Sequence, residues 1–306
     1  MILGLDTSNY TTSAAVVDAS GIRKDVRRPL SVAEGALGLR QSDALFQHVK
    51  QLPVILEELF YDLPRGEVRA VAASTKPREV EGSYMPCFLA GESCGRSLAA
   101  ALGVPFYAFS HQQGHIAAVL ADAGRLELIR SSFLAWHLSG GTTELLLVEP
   151  AGKLFSAHRI GGTSDISAGQ LIDRTGQHLK LPFPSGKALD ELSQKAEEQP
   201  FFRVKTEALS FSFSGLENKM HELSDRGAPP ETVAAFVLRS IAEAVKRTTA
   251  EAKKLYPDAA VVFSGGVSSN RLLRDVCAGF GPVFSAPALS TDNAVGTATL
   301  ARLQEG

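Results

Sequence analysis

Two histidines four residues apart are the side chains of this sequence best suited to bind a metal ion. His111 and His115 follow Ser110, a favoured helix N-cap residue, and precede an alanine-rich segment that favours a helix. Residues i and i+4 share one face of a helix, so both imidazoles can bind a single ion. Pairs with this spacing also occur as ordinary surface or core histidines that bind no metal. Gln112 replaces the glutamate that a zinc protease uses as general base, which disfavours a protease.

A third metal ligand has to come from another segment, and the polar turn at residues 290–293 is the best candidate. Asp292 in that turn can supply one oxygen ligand. It can equally serve as the N-cap of a following helix, so the residues alone leave both interpretations open.

Glycine-rich turns form the second group of candidate residues. Residues 138–143, Leu-Ser-Gly-Gly-Thr-Thr, lie between two predicted strands, and residues 263–271 join a predicted strand to a helix through two adjacent glycines. Glycine lets a phosphate approach backbone N–H groups, although an ordinary hairpin turn has the same composition. The spacing matches neither a dinucleotide GxGxxG motif nor a P-loop. Residues 6–8, Asp-Thr-Ser, are a further turn that can face a phosphate chain.

The elements that must position these residues follow one pattern twice. Apolar runs at 2–5 and 14–17 predict a hairpin with a third strand at 22–28, and a second such hairpin is predicted from residue 133. The other expected elements are helices at 41–61, 87–102, 166–178, 186–198, 229–255, 268–278 and 291–303, and strands at 68–74, 104–109, 133–138, 145–149, 154–160 and 259–263. Pro53 is expected to kink or split the first helix.

This approximate duplication predicts two lobes. We place the first at residues 1–125 plus 293–306 and the second at residues 126–292, with a helix-rich insertion at about 160–230.

Composition narrows the class of protein. The 306 residues are 44% apolar, which suits a large core, and the formal net charge of −2 argues against a general nucleic-acid coat. The basic clusters at 23–28 and 246–254 can contact nucleic-acid phosphates or simply form solvated faces. Three cysteines without a C-x-x-C pair suggest free thiols. The N-terminus lacks a signal-peptide pattern and there is no long apolar run, so we expect a cytoplasmic protein without a membrane span.

The order of these motifs resembles the TsaD family of tRNA threonylcarbamoyladenosine transferases, formerly described as O-sialoglycoprotein endopeptidases. The segments that carry the resemblance, across essentially the whole chain, are 3–8, 110–115, 138–141, 172–175, 183–186, 211–216, 264–271 and 290–293. The resemblance implies an α/β fold of the two-lobed actin/hexokinase-like ATPase type, a duplicated ribonuclease H-like architecture.

The resemblance also implies residue roles and a reaction. The family's metal ligands correspond to His111, His115 and Asp292. Its substrate and nucleotide site corresponds to His137, Leu138, Ser139, Gly140, Gly141, Asp173, Gly186 and Asn270. The implied cofactors are one iron or zinc ion and an adenine nucleotide, either the acyl-adenylate, ATP or ADP. The implied reaction transfers threonylcarbamoyl from its adenylate to N6 of adenosine 37 in tRNA, with TsaB-like and TsaE-like accessory proteins as partners.

The chain departs from the family pattern at the first turn. Family members usually carry Cys-Asp-Glu-Thr after the start motif, whereas Tyr10 and Thr11 stand here in place of the two acids. The usual Gly-Pro-Gly loop is replaced by Lys-Pro-Arg at residues 76–78. An alternative function follows: a catalytically weakened paralogue that binds nucleotide and metal as a regulatory or scaffold subunit. A carbamoyltransferase acting on another acceptor is a third hypothesis.

Overall fold

The protein forms two compact units in a computed structural model. The structure describes residues 1–8, 10–32, 38–291 and 293–306, except for the side chains of residues 287 and 288. Unit 1 comprises Met1–Ser131, Glu149–Ala157 and Ala288–Gly306, and unit 2 comprises Ser132–Val148 and His158–Pro287. The lobe boundaries expected from the sequence stay a prediction.

In the described part of unit 1, five strands form a sheet in the order β3-β2-β1-β4-β5. They are β1 (Ile2–Asp6), β2 (Thr11–Asp18), β3 (Gly21–Pro29), β4 (Ala70–Lys76) and β5 (Phe106–Ser110). β1 pairs antiparallel with β2 and parallel with β4, which pairs parallel with β5. Every residue of β1 is buried, as expected for a central strand covered on both faces. β3 exposes charged side chains, which suits an edge strand.

Among the described residues, a seven-stranded sheet lies mostly in unit 2 and has the order β12-β11-β6-β7-β8-β10-β9. Its strands are β6 (Phe133–Leu138), β7 (Thr143–Ala151), β8 (Leu154–Thr163), β9 (Thr206–Glu207), β10 (Ser210–Phe211), β11 (Val261–Ser264) and β12 (Val283–Phe284). β6 pairs antiparallel with β7 and parallel with β11. The carboxyl ends of β6 and β11 therefore lie side by side, and each leads into one of the predicted glycine-rich turns.

The helices join and cover the strands within each unit. They are α1 (Gln41–Leu59), α2 (Phe88–Leu102), α3 (His111–Asp122), α4 (Ala168–His178), α5 (Gly186–Ser193), α6 (Ser214–Asp225), α7 (Pro230–Leu255), α8 (Arg271–Cys277), α9 (Pro287–Ser290) and α10 (Val295–Glu305). Among the described residues, none of these helices is both long and apolar enough to cross a membrane.

The structure corrects several predicted elements. α1 is not split, because it runs through Pro53 to Leu59. α5 ends at Ser193, before the predicted end at 198. α8 begins later than predicted because Asn270 accepts a hydrogen bond from the backbone N–H of Leu273 and so caps the helix. The short strands β9, β10 and β12 and helix α6 were not predicted at all.

Close backbone contact fixes α10 on α3 in unit 1. A Cβ atom added at Gly296 would lie 1.7 Å from the carbonyl oxygen of Gly114 and 2.9 Å from the backbone nitrogen of Ala118. Both contacts involve backbone rather than flexible side chains, so a larger residue would force the two helices apart.

We therefore expect Gly296→Ala to lower the free energy of unfolding by about 1–3 kcal/mol, the usual range for overpacking a core. Gly66→Ala is the matched control, because a Cβ at Gly66 meets nothing within 4 Å. Urea denaturation of both variants measures the difference. Equal stability of the two variants would contradict the close contact between α3 and α10.

Asp165 replaces a local N-cap for α6. Its carboxylate accepts hydrogen bonds from the backbone N–H groups of Phe213 and Ser214, at 2.8 and 3.1 Å, and from the hydroxyl of Ser212. Burial favours the neutral acid, but these hydrogen bonds and one from Thr163 outweigh burial and lower the pKa of Asp165 well below its ordinary value.

We expect Asp165→Asn to destabilise the protein at pH 7 by about 1 kcal/mol, because the amide nitrogen cannot accept the hydrogen bonds that one carboxylate oxygen accepts. Because the folded-state pKa is lowered, this contribution is full above the unfolded pKa of about 3.9 and declines as the pH falls below it. Urea denaturation at about pH 7, 5 and 3.5, with the exposed Asp258→Asn as control, measures it. A stability difference from wild type that stays constant down to the lowest pH would rule out the ionised cap.

Candidate functional site

The histidine pair, His111 and His115, lies in the first turns of α3 in unit 1. Ser110 caps this helix, because its hydroxyl accepts the N–H of Gln113 while the Gln113 side chain bonds back to the N–H of Ser110. The two ring centroids are 4.3 Å apart, with an angle of 76° between the rings. The sequence therefore predicted both the helix start and the shared face correctly.

His111 is oriented by a carboxylate from the first strand. Its Nδ1 lies 2.8 Å from Oδ2 of Asp6, the last residue of β1. The ends of β1, β4 and β5 lie at one edge of the sheet because these strands are parallel. That edge is where α/β folds usually place functional residues.

The histidine pair suits a transition-metal ion as a partial set of ligands. Imidazole nitrogens bind zinc and iron, at distances of about 2.0–2.1 Å for zinc, and two rings this close can converge on one ion. Asp292, the expected third ligand, lies outside the described residues. Within the part of the chain that the structure describes, no three His, Cys, Asp or Glu side chains form a metal-binding group. The three-ligand set thus stays a prediction.

The glycine turn, residues 139–142, connects β6 to β7 in unit 2. The N–H of Ser139 donates to the carbonyl oxygen of Thr142 at 2.8 Å, which closes the turn. Gly140 and Gly141 are exposed, and a Cβ at either position would meet nothing within 4 Å. The backbone of these two glycines is therefore accessible, and it can present N–H groups to an anion.

The start of α4 packs against the glycine turn. The hydroxyl of Ser167 donates to the carbonyl oxygen of Gly140 at 2.6 Å. A Cβ at Gly169 would lie 2.5 Å from the Cα of Gly140, so only glycine allows this approach. The start of α4 and the turn are therefore held in one arrangement.

The strand-to-helix segment after β11 reaches the base of the same turn. Gly265 has φ of 87°, and its hypothetical Cβ would lie 2.3 Å from the carbonyl oxygen of Leu138, so glycine is required on both counts. Asn270 caps α8 and donates from Nδ2 to Oδ1 of Asp190 at 2.7 Å. Burial raises the pKa of Asp190, against the effect of neighbouring Arg271.

Asp173 and Gly186 lie at the contact between α4 and α5. Oδ1 of Asp173 accepts the backbone N–H of Ser185 at 2.8 Å, and Ser185 is the N-cap position before Gly186. Burial raises the pKa of Asp173, partly offset by that hydrogen bond. A Cβ at Gly186 would meet open space.

His137 and Leu138, also predicted as site residues, are buried in β6. Nδ1 of His137 lies 3.1 Å from the hydroxyl of Ser264 in the neighbouring strand β11, and Leu138 belongs to the hydrophobic core. Their side chains support the strand ends, so the accessible part of this segment is Ser139 to Gly141.

The comparison with known proteins decides the family. The family model for tRNA N6-adenosine threonylcarbamoyltransferase, TsaD, matches residues 38–299. The chain is 30% identical to a tRNA N6-adenosine threonylcarbamoyltransferase of Carboxydothermus hydrogenoformans over 301 residues, covering 94% of this chain and 85% of that protein. A Bacillus licheniformis protein of the same name is 32% identical, with 89% and 80% coverage. The chain belongs to the TsaD family.

Solved structures confirm the expected fold. The chain superposes on a HypF of T. kodakarensis with a TM-score of 0.61 at 16% identity, covering 99% of this chain and 48% of that one. It superposes on the activator of the 2-hydroxyisocaproyl-CoA dehydratase of Clostridium difficile, with bound ADPNP, with a TM-score of 0.58 at 14% identity, covering 99% and 94%. It matches a ROK family glucokinase of Streptomyces griseus with a TM-score of 0.53 at 14% identity, covering 100% and 99%. The fold is that of the actin/hexokinase-like ATPases.

Three contacts around the candidate site residues were not predicted from the sequence. Asp6 orients His111, Ser167 holds the glycine turn, and Asp190 binds Asn270. No spacing rule links a strand end to a helix much later in the chain. Thr7, expected to face a phosphate, instead donates to the carbonyl oxygen of Cys87 at 2.9 Å and is fully buried.

The departures that the resemblance implies, at residues 10–11 and 76–78, lie in unit 1. Tyr10 precedes β2, and its carbonyl oxygen accepts the N–H of Leu30 at 2.8 Å. The carbonyl oxygen of Pro77 accepts the N–H of Gln112 at 3.1 Å, so the 76–78 loop contacts the first turn of α3. Lys76 pairs with Glu79, with 3.2 Å between Nζ and Oε1, which partly neutralises that loop.

The basic cluster at 23–28 is largely paired with acids. Each of its four cations forms an ion pair, and the pairs are Arg23–Asp18, Lys24–Asp62, Arg27–Asp25 and Arg28–Glu58. In the second cluster, Lys254 pairs with Glu251 and Lys253 donates to backbone carbonyl groups. These contacts reduce the positive field that either cluster presents to a phosphate backbone.

Proposed function

We propose that this protein transfers the threonylcarbamoyl group from threonylcarbamoyl-AMP to N6 of adenosine in tRNA. The observation that carries the proposal is the TsaD family match across residues 38–299, together with about 30% identity to transferases of that name over most of their length. TsaB-like and TsaE-like accessory proteins are the proposed partners, by the same resemblance.

Unit 2 is proposed to hold the adenylate. Accessible N–H groups of the glycine turn suit the phosphate, since they lie at the carboxyl ends of parallel strands. Asp173 and Gly186 are proposed to bind the nucleoside, and Asn270, whose amide is oriented by Asp190, is proposed to contact the substrate. His137 and Leu138 support this surface through the strand ends.

Unit 1 is proposed to hold one divalent ion, iron or zinc, through His111, His115 and Asp292. Such an ion, when bound, would supply a Lewis acid that polarises a carbonyl or phosphate oxygen. The chain's own contribution is placement: it orients two imidazoles on a capped helix and a carboxylate behind one of them.

The proposed step is acyl transfer. N6 of the adenosine attacks the carbamoyl carbonyl carbon and forms a C–N bond, the bond between that carbon and the phosphate oxygen breaks to release AMP, and the proton lost from N6 passes to water. Holding two reactants in contact can supply much of the rate enhancement. Within the described residues, the binding groups named above account for placement but assign no general base.

A reconstituted assay tests the function. It contains the purified protein, its accessory proteins, a threonylcarbamoyl-AMP synthase, threonine, bicarbonate, ATP and unmodified tRNA. We expect threonylcarbamoyladenosine in digested tRNA, measured by mass spectrometry, and its strong loss in Asn270→Ala. Lys187→Arg is the control, because Lys187 is exposed, and we expect its activity to equal that of the wild type. No product above a mixture without this protein would contradict the proposal.

The alternative function is a nucleotide- and metal-binding subunit without transferase activity. It is favoured by the resemblance described above, which implies two acids at the positions that Tyr10 and Thr11 occupy in this chain. In the same assay, an inactive wild type and an active Tyr10→Asp, Thr11→Glu double variant would establish the alternative. Turnover by the wild type would exclude it.

Metal content measures the proposed ion directly. We expect about one iron or zinc per purified chain, lost in His115→Ala because one of two imidazole ligands is removed. His221→Ala is the matched control: His221 and His178 are also close, with 5.0 Å between ring centroids, but both are exposed. Loss of metal in the control instead would place the ion at the exposed pair.

A further inference from the structure

Asp6 is a buried acid with an unusually complete set of hydrogen bonds. It is 1% exposed. Oδ1 accepts the backbone N–H of Ser8 at 2.8 Å and also the Ser8 hydroxyl. Oδ2 accepts the hydroxyl of Ser74 at 2.6 Å and lies 2.8 Å from Nδ1 of His111. A buried carboxylate needs such partners, because each unsatisfied oxygen costs free energy.

The hydrogen bonds of the Asp6 carboxyl group can be assigned a donor and an acceptor. A backbone N–H can only donate, so the Ser8 contact must be made to an acceptor, and Oδ1 is that acceptor. An ionised carboxylate accepts at both oxygens. With Asp6 ionised, His111 donates from Nδ1 to Oδ2, and a neutral ring then carries its proton on Nδ1. In that tautomer Nε2 has the lone pair that a metal ion requires.

Rigid elements hold both partners in place. Asp6 ends the central strand β1, whose register with β2 pairs Asp6 with Ser13. Ser74 belongs to the neighbouring strand β4. On the other side, the capping box fixes the start of α3, and the contact at Gly296 holds α10 against it. Neither side chain can turn away without breaking a buried hydrogen bond.

We infer that Asp6 is a positioning residue for metal binding: it sets the tautomer and ring direction of His111 so that Nε2 is the ligand atom. The inference rests on the metal ion in the proposed function. It assigns to the Asp-Thr-Ser turn a role in orienting a ligand, in place of the phosphate contact expected from the sequence. Asp6 itself is not proposed as a ligand, since at least four hydrogen bonds already engage its carboxylate.

Asp6→Asn tests the direction of the hydrogen bond at almost constant shape. The backbone N–H of Ser8 can only donate, so the new amide must turn its oxygen towards Ser8. Its NH₂ group then faces Nδ1 of His111. The imidazole must then accept at Nδ1 and carry its proton on Nε2, where it opposes ligation. Loss of a hydrogen-bond partner behind a metal-bound histidine typically weakens metal affinity about 10–100-fold.

Ser13→Ala is the matched control. The Ser13 hydroxyl is buried and donates to the backbone oxygen of Asp6 at 3.3 Å, so its loss disturbs the same position without changing the carboxylate. Heat denaturation of both variants shows that each is folded. We expect zinc affinity, measured by competition with a chelator, to fall about 10–100-fold in Asp6→Asn and to stay at the wild-type level in Ser13→Ala.

The tautomer is measured separately, without metal and without activity. Nitrogen NMR of metal-free protein labelled with ¹⁵N-histidine, at about pH 8 where an ordinary histidine is neutral, identifies His111 by its loss in His111→Ala. We expect a proton on Nδ1 of His111 in the wild type and in Ser13→Ala, and an unprotonated Nδ1 in Asp6→Asn. An unprotonated Nδ1 in the wild type would overturn the inference.

The two measurements separate this inference from the proposed function. Tight zinc binding by the wild type with equal affinity in Asp6→Asn would overturn the role of Asp6 and leave the metal site intact. Wild-type protein that binds no zinc would contradict the metal site itself and, with it, the role of Asp6. Neither result depends on the transferase assay.

Discussion

Backbone-to-backbone contact at glycine positions holds both groups of candidate residues in place. In unit 1, Gly296 lies against the backbone of Gly114, which is between the two histidines of α3. In unit 2, Gly265 lies against Leu138, and Gly169 lies against Gly140. A methyl group at any of these three positions would overlap backbone atoms, so each glycine sets how closely a helix or turn approaches its neighbour.

The same glycine contacts position the groups that are proposed to bind metal and substrate. In unit 1, α3 must be fixed for its imidazole to meet the carboxylate at the end of β1. In unit 2, the glycine turn must be fixed for its N–H groups to face a ligand. The parallel pairing of β1 with β4 and of β6 with β11 brings the relevant strand ends together. In each unit the candidate residues thus lie at the carboxyl ends of strands, where open α/β sheets usually bind ligands.

Much of this could be predicted from the sequence because the signals are local. Ser110 and Gln113 mark the start of α3, and the apolar runs mark the two hairpins. The family and its fold followed from the order of motifs, and both predictions are confirmed. The site residues assigned by resemblance stay predictions. The structure does show that Ser139 to Gly141 are accessible while His137 and Leu138 are buried.

The missed features depend on residues distant in sequence. α6 begins at a cap supplied by Asp165, forty-nine positions before Ser214. β9 and β10 are only two residues long, too short to show an alternating pattern. Asp6 and His111 are 105 positions apart, and only the sheet order joins them. No local propensity or spacing rule contains that information.

Single-turnover transfer of label tests the central claim most directly. Threonylcarbamoyl-AMP labelled in the carbamoyl carbon would be mixed with excess protein, its accessory proteins and unmodified tRNA, with ATP regeneration omitted so that no new adenylate forms. The account predicts that label moves into tRNA and is recovered in modified adenosine after digestion. Label that stays in the adenylate or appears only in hydrolysis products, while the protein binds the adenylate, would contradict transferase activity and favour a binding subunit.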